Sequence, residues 1–274
     1  MNTIVVPTDF SPVSENAIRY AVSMAKEIGS DVTLIHVYQI PVSMSDVPVA
    51  IVSAEELNEI ALEKINDLKT AIEQTQGVAV TIKTEVRLGN IVDELEDFCK
   101  QMKPFAIIIG TKGSSAVDRI LFGSTTLTVI RDFNWPVIIV PPGTVYKKIK
   151  KVGFACDFTK VIETTPLPYI KEIVKTFHAE LHVLNVDYEN RHFRGEQAEE
   201  SFLLHSMLED LNPQYHFIDN PDVEEGINNF ADRNNLDLLI TIPKKHKLLE
   251  GLFRKSHTQK LVFESHVPIL CVHE

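Results

Sequence analysis

Ile4-Val-Val-Pro-Thr-Asp-Phe-Ser11 stands near the N-terminus, and Lys151-Val-Gly-Phe-Ala-Cys-Asp-Phe-Thr159 repeats its pattern in the second half of the chain. In both, a short apolar run ends in Asp-Phe followed by a hydroxyl residue. The repeat continues outward from there. About 20 residues on come Val-Thr-Leu-Ile-His-Val (Val32–Val37) and Leu-His-Val-Leu-Asn-Val (Leu181–Val186). A fourth apolar run, Ala106–Gly110 (AIIIG), is matched by Asp237–Thr241 (DLLIT). Each half closes with proline before a last apolar strand, Pro136 before VIIV and Pro268 before ILCV. Four landmarks in the same order define one unit written twice, which is the first thing to establish in a sequence of this length. A chain of 274 residues accommodates two domains of ~100–150 residues each. The repeat places them at 1–146 and 147–274, with the turn-rich then basic stretch Pro141–Lys151 (PPGTVYKKIKK) as linker and entry to the next strand.

Within the first unit the spacing predicts strands near 2–7, 32–37, 79–87, 105–109 and 137–140, with helices near 13–28, 54–75, 90–102 and 124–132. The strands are continuous β-branched runs, as required when both faces of a sheet are covered. Ala17, Ala21, Val22, Ala25 and Ile28 recur at helical spacing and give the first helix one apolar stripe. Tyr38–Val52 lacks periodicity and reads as a mobile loop. Alternating strands and helices imply an α/β fold, an open parallel sheet with right-handed crossovers in each copy.

Composition narrows the chemistry. The 27 basic residues against 38 acidic ones give a net charge of −11, which opposes a phosphate backbone and argues against a nucleic-acid binder. Lys147, Lys148, Lys150 and Lys151 read as a solvated linker. No run of ~18 apolar residues suggests a membrane span, and the N-terminus shows no basic, apolar, cleavage-site order of a signal peptide. Cys99, Cys156 and Cys271 are scattered without a CxxC spacing. They read as reduced, mostly buried thiols of a cytoplasmic protein.

The segment that carries chemistry follows the fourth strand: Gly110-Thr-Lys-Gly113-Ser-Ser-Ala-Val-Asp-Arg-Ile-Leu-Phe-Gly123-Ser124-Thr125-Thr126. Ligands of open α/β sheets sit beyond the carboxyl ends of strands. Glycines there let backbone amides approach an anion and adopt positive φ. Gly123-Ser124-Thr125 then opens a helix whose free N–H groups and dipole favour phosphate. The segment is neither a Walker A loop nor a G-x-G-x-x-G fingerprint. A tight turn that holds no ligand is the competing reading.

With its Gly, two residues, Gly, nine residues, Gly, Ser spacing, the chain resembles the universal stress protein family. Gly110, Gly113, Gly123 and Ser124 match without a gap. PTDFS after the first strand, IHV at the end of the second and the closing PVIIVPP extend the likeness over the whole first copy. The second copy is similar more weakly, so the whole resembles a tandem member. The resemblance implies a Rossmann-like, adenine nucleotide α-hydrolase-like fold, two five-stranded sheets paired as a pseudo-dimer, and ATP, with or without Mg²⁺. It implies nucleotide contacts at Thr8 and Asp9, adenine packing on Val37, and phosphate binding by Gly110, Gly113, Gly123, Ser124 and Thr125. Asp9 could instead cap the first helix, and Val37 could be ordinary core.

In the second copy the corresponding segment runs from Thr241 to Ser256 (TIPKKHKLLEGLFRKS). Aligning Phe253 with Phe122 sets Thr241 at the place of Gly110, Lys244 at Gly113 and Arg254 at Gly123. Pro243 also removes a backbone donor. Either Lys244, Lys245, Lys247, Arg254 or Lys255 grips an anion by side chain, or the loop is a solvated one on a structural partner domain. No HExxH, GxSxG or paired cysteine ligands occur. His178 and His182 are four residues apart but straddle a helix end and a strand start, so they do not form a helical metal pair. Hydrolysis would rest on Asp9 or on a water placed by Mg²⁺, with no evident general base. A nucleotide-binding regulatory protein is favoured over the alternative, a slow ATP-hydrolysing or phosphotransfer enzyme. The family likeness also implies that the last strands, Val137–Val140 and Ile269–Val272, pair within one chain. The chain remains free to form a homodimer through another surface.

Overall fold

The computed structural model describes residues 3–40, 53–76, 80–111, 129, 133–189, 195–243, 261–262 and 264–273. The chain forms two compact units, Met1–Gly110 and Thr111–Glu274. The first contains β1 (Thr3–Pro7), α1 (Pro12–Ile28), β2 (Asp31–Tyr38), α2 (Ala54–Gln76), β3 (Ile82–Leu88), α3 (Ile91–Met102) and β4 (Ala106–Gly110). Its strands lie in the order β3-β2-β1-β4 and are all parallel. The chain moves outward from β1 through β2 to β3, then returns to β4 on the other side of β1. That reversal between β1 and β4 is a topological switch point, the place where such sheets open a crevice. Ile4, Val5, Val6, Ile107 and Ile108 are fully buried, each stabilising the sheet by about 1.5–3 kcal/mol relative to exposure.

The second unit contains β5 (Val137–Val140), β6 (Lys151–Ala155), α4 (Val161–Thr164), α5 (Leu167–Phe177), β7 (Glu180–Asp187) and α6 (Gly195–Leu208). A 3₁₀ turn (Glu209–Leu211), β8 (Gln214–Asp219), α7 (Val223–Asn234), β9 (Leu238–Thr241) and β10 (Ile269–Cys271) follow. The strand order is β5-β10-β9-β6-β7-β8, parallel throughout except for the antiparallel pair β5/β10. The strands from β6 to β10 form the five-stranded parallel sheet expected of the second copy. β5, which closes the first copy in the sequence, belongs to the second unit and pairs there with β10. Ile139 faces Ile269, Ile138 faces Leu270 and Val137 faces Cys271, and all six side chains are buried. The Thr111 amide also donates to the Val140 carbonyl at 3.1 Å.

The expected helices near 13–28, 54–75 and 90–102 are present as α1, α2 and α3. Of the expected loop Tyr38–Val52, Tyr38 instead ends β2 and 41–52 lie outside the described residues, as does most of the expected helix at 124–132. Helix α1 shows why the prediction succeeds. Ser11 in extended conformation accepts from the Ser14 amide, Pro12 opens the helix, and Gly29 closes it at φ 66°. These are the donor-satisfying cap, the residue whose missing N–H costs nothing at a first turn, and the left-handed stop. The equivalent helix of the second copy is split into α4 and α5. Pro166 interrupts it, since proline supplies no N–H and disfavours helical backbone in the residue before it.

The basic linker is not a continuous patch. Ile149 is buried, and the amides of Lys150 and Lys151 both donate to the Asp237 carboxylate, at 2.8 and 3.0 Å. Cys99, Cys156 and Cys271 are all free thiols. Burial pushes the Cys99 thiol up to about 12 and Cys271 higher still. Among the described residues no helix is long and apolar enough to cross a membrane.

One buried polar pair ties β7 to β8. His182 Nδ1 and His216 Nε2 lie 3.0 Å apart, so one ring must donate and the other accept. Desolvation lowers the His182 pKa, with Glu180 pulling it up and Lys151 pushing it down. Desolvation and the neighbouring His182 lower that of His216. A histidine depressed on folding takes up protons less readily than in the unfolded chain. Stability is therefore intact above the ordinary histidine range and falls as pH drops through it toward the folded values. The urea midpoint of the wild-type chain should fall between about pH 7 and pH 5, and it should fall less in His216→Gln. An identical pH slope in the variant would show that the pair does not contribute.

Candidate nucleotide crevice

The crevice of the first copy begins at the turn that follows β1. The Thr8 amide donates to the Ile35 carbonyl at 2.9 Å, extending the β1/β2 ladder by one residue. Phe10 then takes a left-handed φ of 63°, a conformation that costs a bulky residue about 1–3 kcal/mol and persists only where surroundings impose it. Three groups impose it here. The Phe10 amide donates to Thr8 Oγ1 at 3.1 Å, the Ser11 amide donates to Asp9 Oδ1 at 3.0 Å, and the Phe10 ring packs on His36 with centroids 4.4 Å apart.

The hydroxyls in this turn bond to one another and to the backbone. Ser14 Oγ donates its proton to the Ser11 carbonyl at 2.9 Å. Thr8 Oγ1 and Ser14 Oγ lie 3.0 Å apart, one hydroxyl donating to the other. Thr8 is buried, 6% exposed, and its oxygen accepts from the Phe10 amide. Thr8, expected as a nucleotide contact, ties the turn together through these bonds. Asp9 also departs from one expectation: Ser11, not Asp9, caps α1, because the Asp9 carboxylate is turned back on the Ser11 amide. Asp9 is exposed. Partial burial raises its pKa, but hydrogen bonds from Ser11 and Ser14 outweigh that and hold it below the ordinary carboxylate value. The turn thus presents a fixed, ionised carboxylate at the mouth of the switch point.

Val37 lies near the carboxyl end of β2, opposite Arg87 of β3. It is half-buried, whereas Leu34 and Ile35 before it are fully buried, so part of an apolar side chain remains available at the sheet end. Gly110 ends β4, but positive φ is not its reason: only Gly29, Gly89 and Gly143 are left-handed among the described glycines. A Cβ at Gly110 would stand 2.6 Å from the Val13 carbonyl oxygen and 2.7 Å from Val13 Cγ1. Glycine is needed there because the first turn of α1 lies directly on the end of β4. Gly113, Gly123, Ser124 and Thr125 lie outside the described residues, as do Lys244, Lys245, Lys247, Arg254 and Lys255.

The second copy keeps the turn. Phe158 repeats the left-handed backbone at φ 50°, with its amide on Cys156 Sγ at 3.4 Å and the Thr159 amide on Asp157 Oδ1 at 3.2 Å. The strand registers correct the alignment of the loops. Ile4 pairs with Ala106 in the first copy, and its counterpart Val152 pairs with Leu238 in the second. Gly110 therefore corresponds to Ile242 rather than Thr241, and Thr111 to Pro243. Setting Phe253 against Phe122 leaves the second loop one residue shorter, eleven steps from Ile242 against twelve from Gly110. An ungapped match misses this because interchangeable β-branched residues hide a one-residue slip. In addition, Glu200 of α6 accepts from the Val161 amide at 2.7 Å, putting a carboxylate on the N-terminus of α4. Nothing in local sequence pairs residues so far apart, so Glu200 was not legible beforehand.

His178 caps α5 in left-handed conformation and His182 lies in β7, so they do not converge. Among the described residues no group of three His, Cys, Asp or Glu side chains could hold a metal ion.

A parallel sheet whose strand order reverses between β1 and β4, with a carboxylate and a glycine strand-end at that switch point, defines a doubly wound α/β fold. The family model described as "Universal stress protein family" matches residues 1–141 and again 148–273. The chain belongs to the universal stress protein family, as a tandem member. Universal stress protein MJ0531 of Methanocaldococcus jannaschii is 33% identical over 142 residues, covering 50% of this chain and 80% of that protein. Universal stress protein G of Escherichia coli O157:H7 is 28% identical over 140 residues, covering 50% of this chain and 97% of that protein. The crystal structure of a universal stress protein from Archaeoglobus fulgidus matches the fold with a TM-score of 0.74 at 19% identity, covering 100% of this chain and 96% of that one.

Proposed function

We propose that the chain is a cytoplasmic stress-response regulator that holds one ATP in the crevice of its first copy. The observation that carries this reading is the difference between the copies. The first offers an exposed Asp9, a half-buried Val37 and a strand end without side chain at Gly110. The second keeps an exposed Asp157 and a half-buried Val186, but it sets Ile242 and Pro243 at the places of Gly110 and Thr111 and adds the Glu200 carboxylate at the Val161 amide. The described half of the first crevice suits an adenine nucleotide. An apolar side chain offers a surface for a base, and an ionised carboxylate accepts from hydroxyl or amino donors or faces Mg²⁺. A carboxylate repels phosphate, so the triphosphate belongs on the amides and hydroxyls of Gly110, Gly113, Gly123, Ser124 and Thr125. Thr8 acts by holding the turn.

The reading is of a binding protein and not of an ATPase, because Asp9 is held ionised below the ordinary range, away from the near-neutral pKa that suits a general base. A turnover assay with Mg²⁺ tests this. Hydrolysis near ~10 per second, the scale of typical enzymes, that disappears in Asp9→Asn would establish the enzyme instead.

The repeat boundary belongs at 146/147, and the two copies form a pseudo-dimer through their last strands. Pairing within one chain satisfies at high effective concentration an apolar edge that would otherwise invite aggregation. The register makes a single-substitution test possible, since Val137 faces the native Cys271. Val137→Cys should form a disulfide on oxidative refolding, giving a faster-migrating monomer on a non-reducing gel. Paired cysteines at Ile139 and Leu270, which point to opposite faces, should not cross-link. Disulfide-linked dimers from Val137→Cys would mean that the strands pair between chains.

A further inference from the structure

We propose that His36 is a positioning residue for the nucleotide turn, holding the Thr8 carbonyl so that Asp9 is presented in one orientation. This rests on the reading of the first copy as a nucleotide site. His36 Nδ1 lies 2.8 Å from the Thr8 carbonyl oxygen. A carbonyl only accepts, so Nδ1 carries the proton, which fixes the ring's tautomer. The same ring backs Phe10 at 4.4 Å, with planes inclined by 45°. His36 therefore supports both sides of Asp9: the peptide before it by a hydrogen bond, and the strained residue after it by packing.

The second copy supplies an independent control within the same chain. Matching Asp31 to Glu180 through their partners Thr3 and Lys151 sets Asn185 at the place of His36. Asn185 Nδ2 donates to the Cys156 carbonyl at 2.9 Å, and Cys156 is the counterpart of Thr8. Imidazole Nδ1 and amide Nδ2 stand at the same distance along their side chains. What both copies keep is an N–H donor aimed at the carbonyl before the aspartate. The ring is not kept: Phe158 is backed instead by Tyr215 and Phe217, with centroids 6.4 and 6.0 Å away. The donor is thus the shared device, and the imidazole ring adds the backing of Phe10 that the second copy takes from its β8.

The test compares His36→Asn, which keeps the donor, with His36→Leu, which removes it. Two readouts on the full chain are needed. In ATP titration, His36→Leu should bind about tenfold more weakly, the loss of roughly one hydrogen bond's net worth, while His36→Asn should stay within about threefold of wild type. In residue-resolved amide exchange without nucleotide, Phe10 and Ser11 should lose protection in His36→Leu and keep it in His36→Asn. Wild-type exchange and affinity in His36→Leu would overturn the proposal. Equal losses in both variants would also overturn it, because rescue by asparagine separates a donor from simple filling of space. If the wild-type chain bound no ATP, the nucleotide reading would fail while amide exchange still judged the clamp.

Discussion

Gly123→Val is expected to abolish ATP binding, weakening it at least about a hundredfold, because two charge-assisted bonds to phosphate at ~1.5 kcal/mol or more each would be lost. On the proposed reading Gly123 opens a helix, and a valine side chain there would occupy the space that phosphate oxygens need. Gly113→Val should act in the same way. A melt of each variant shows whether lost binding comes without unfolding. Titration calorimetry together with a melt separates the outcomes. Unchanged affinity in Gly123→Val would remove the glycine segment from the site.

Gly110→Ala should behave in the opposite manner, damaging stability before it damages binding. The added Cβ would meet the Val13 backbone oxygen at 2.6 Å, and a backbone atom at the start of a capped helix cannot rotate away. Overpacking of this kind costs about 1–3 kcal/mol, and the loss belongs to the first unit. Val13→Ala in the same chain should recover only part of it, since it relieves the contact with Cγ1 and leaves the carbonyl in place. A wild-type midpoint for Gly110→Ala would mean that α1 does not lie as closely on β4 as described. The two glycines of one motif thus have separable tests: Gly110 lets a helix approach a strand, and Gly123 is the one proposed to face the ligand.

These roles also show what local sequence could and could not convey. The parallel α/β fold was legible because Ile4–Val6 and Ala106–Ile109 are unbroken apolar runs, Val32–Ile35 is interrupted only by Thr33, and Ser11, Pro12 and Gly29 mark the ends of α1. The place of the crevice was legible from Asp9 and Gly110 following strands. The reasons for individual residues were less so. Gly110 reads identically whether it serves a left-handed turn or a close helix, and only the position of Val13 decides between them. Thr8 reads as a ligand hydroxyl in the sequence, and its bonds to Ser14 and the Phe10 amide depend on how the turn folds back. The slip of one residue that brings Ile242 opposite Gly110 is invisible in a run of β-branched residues. His36 was quoted as part of a strand ending, and its donor role depends on a carbonyl 28 positions away in the chain.

The central claim is that one copy binds nucleotide and the other does not. Titration of ATP into the purified full chain by calorimetry tests it most directly. The account predicts saturation at one ATP per chain, lost in Gly123→Val and kept in a variant of the second copy such as Lys244→Ala. Saturation at two equivalent sites, or no heat of binding at all, would contradict it.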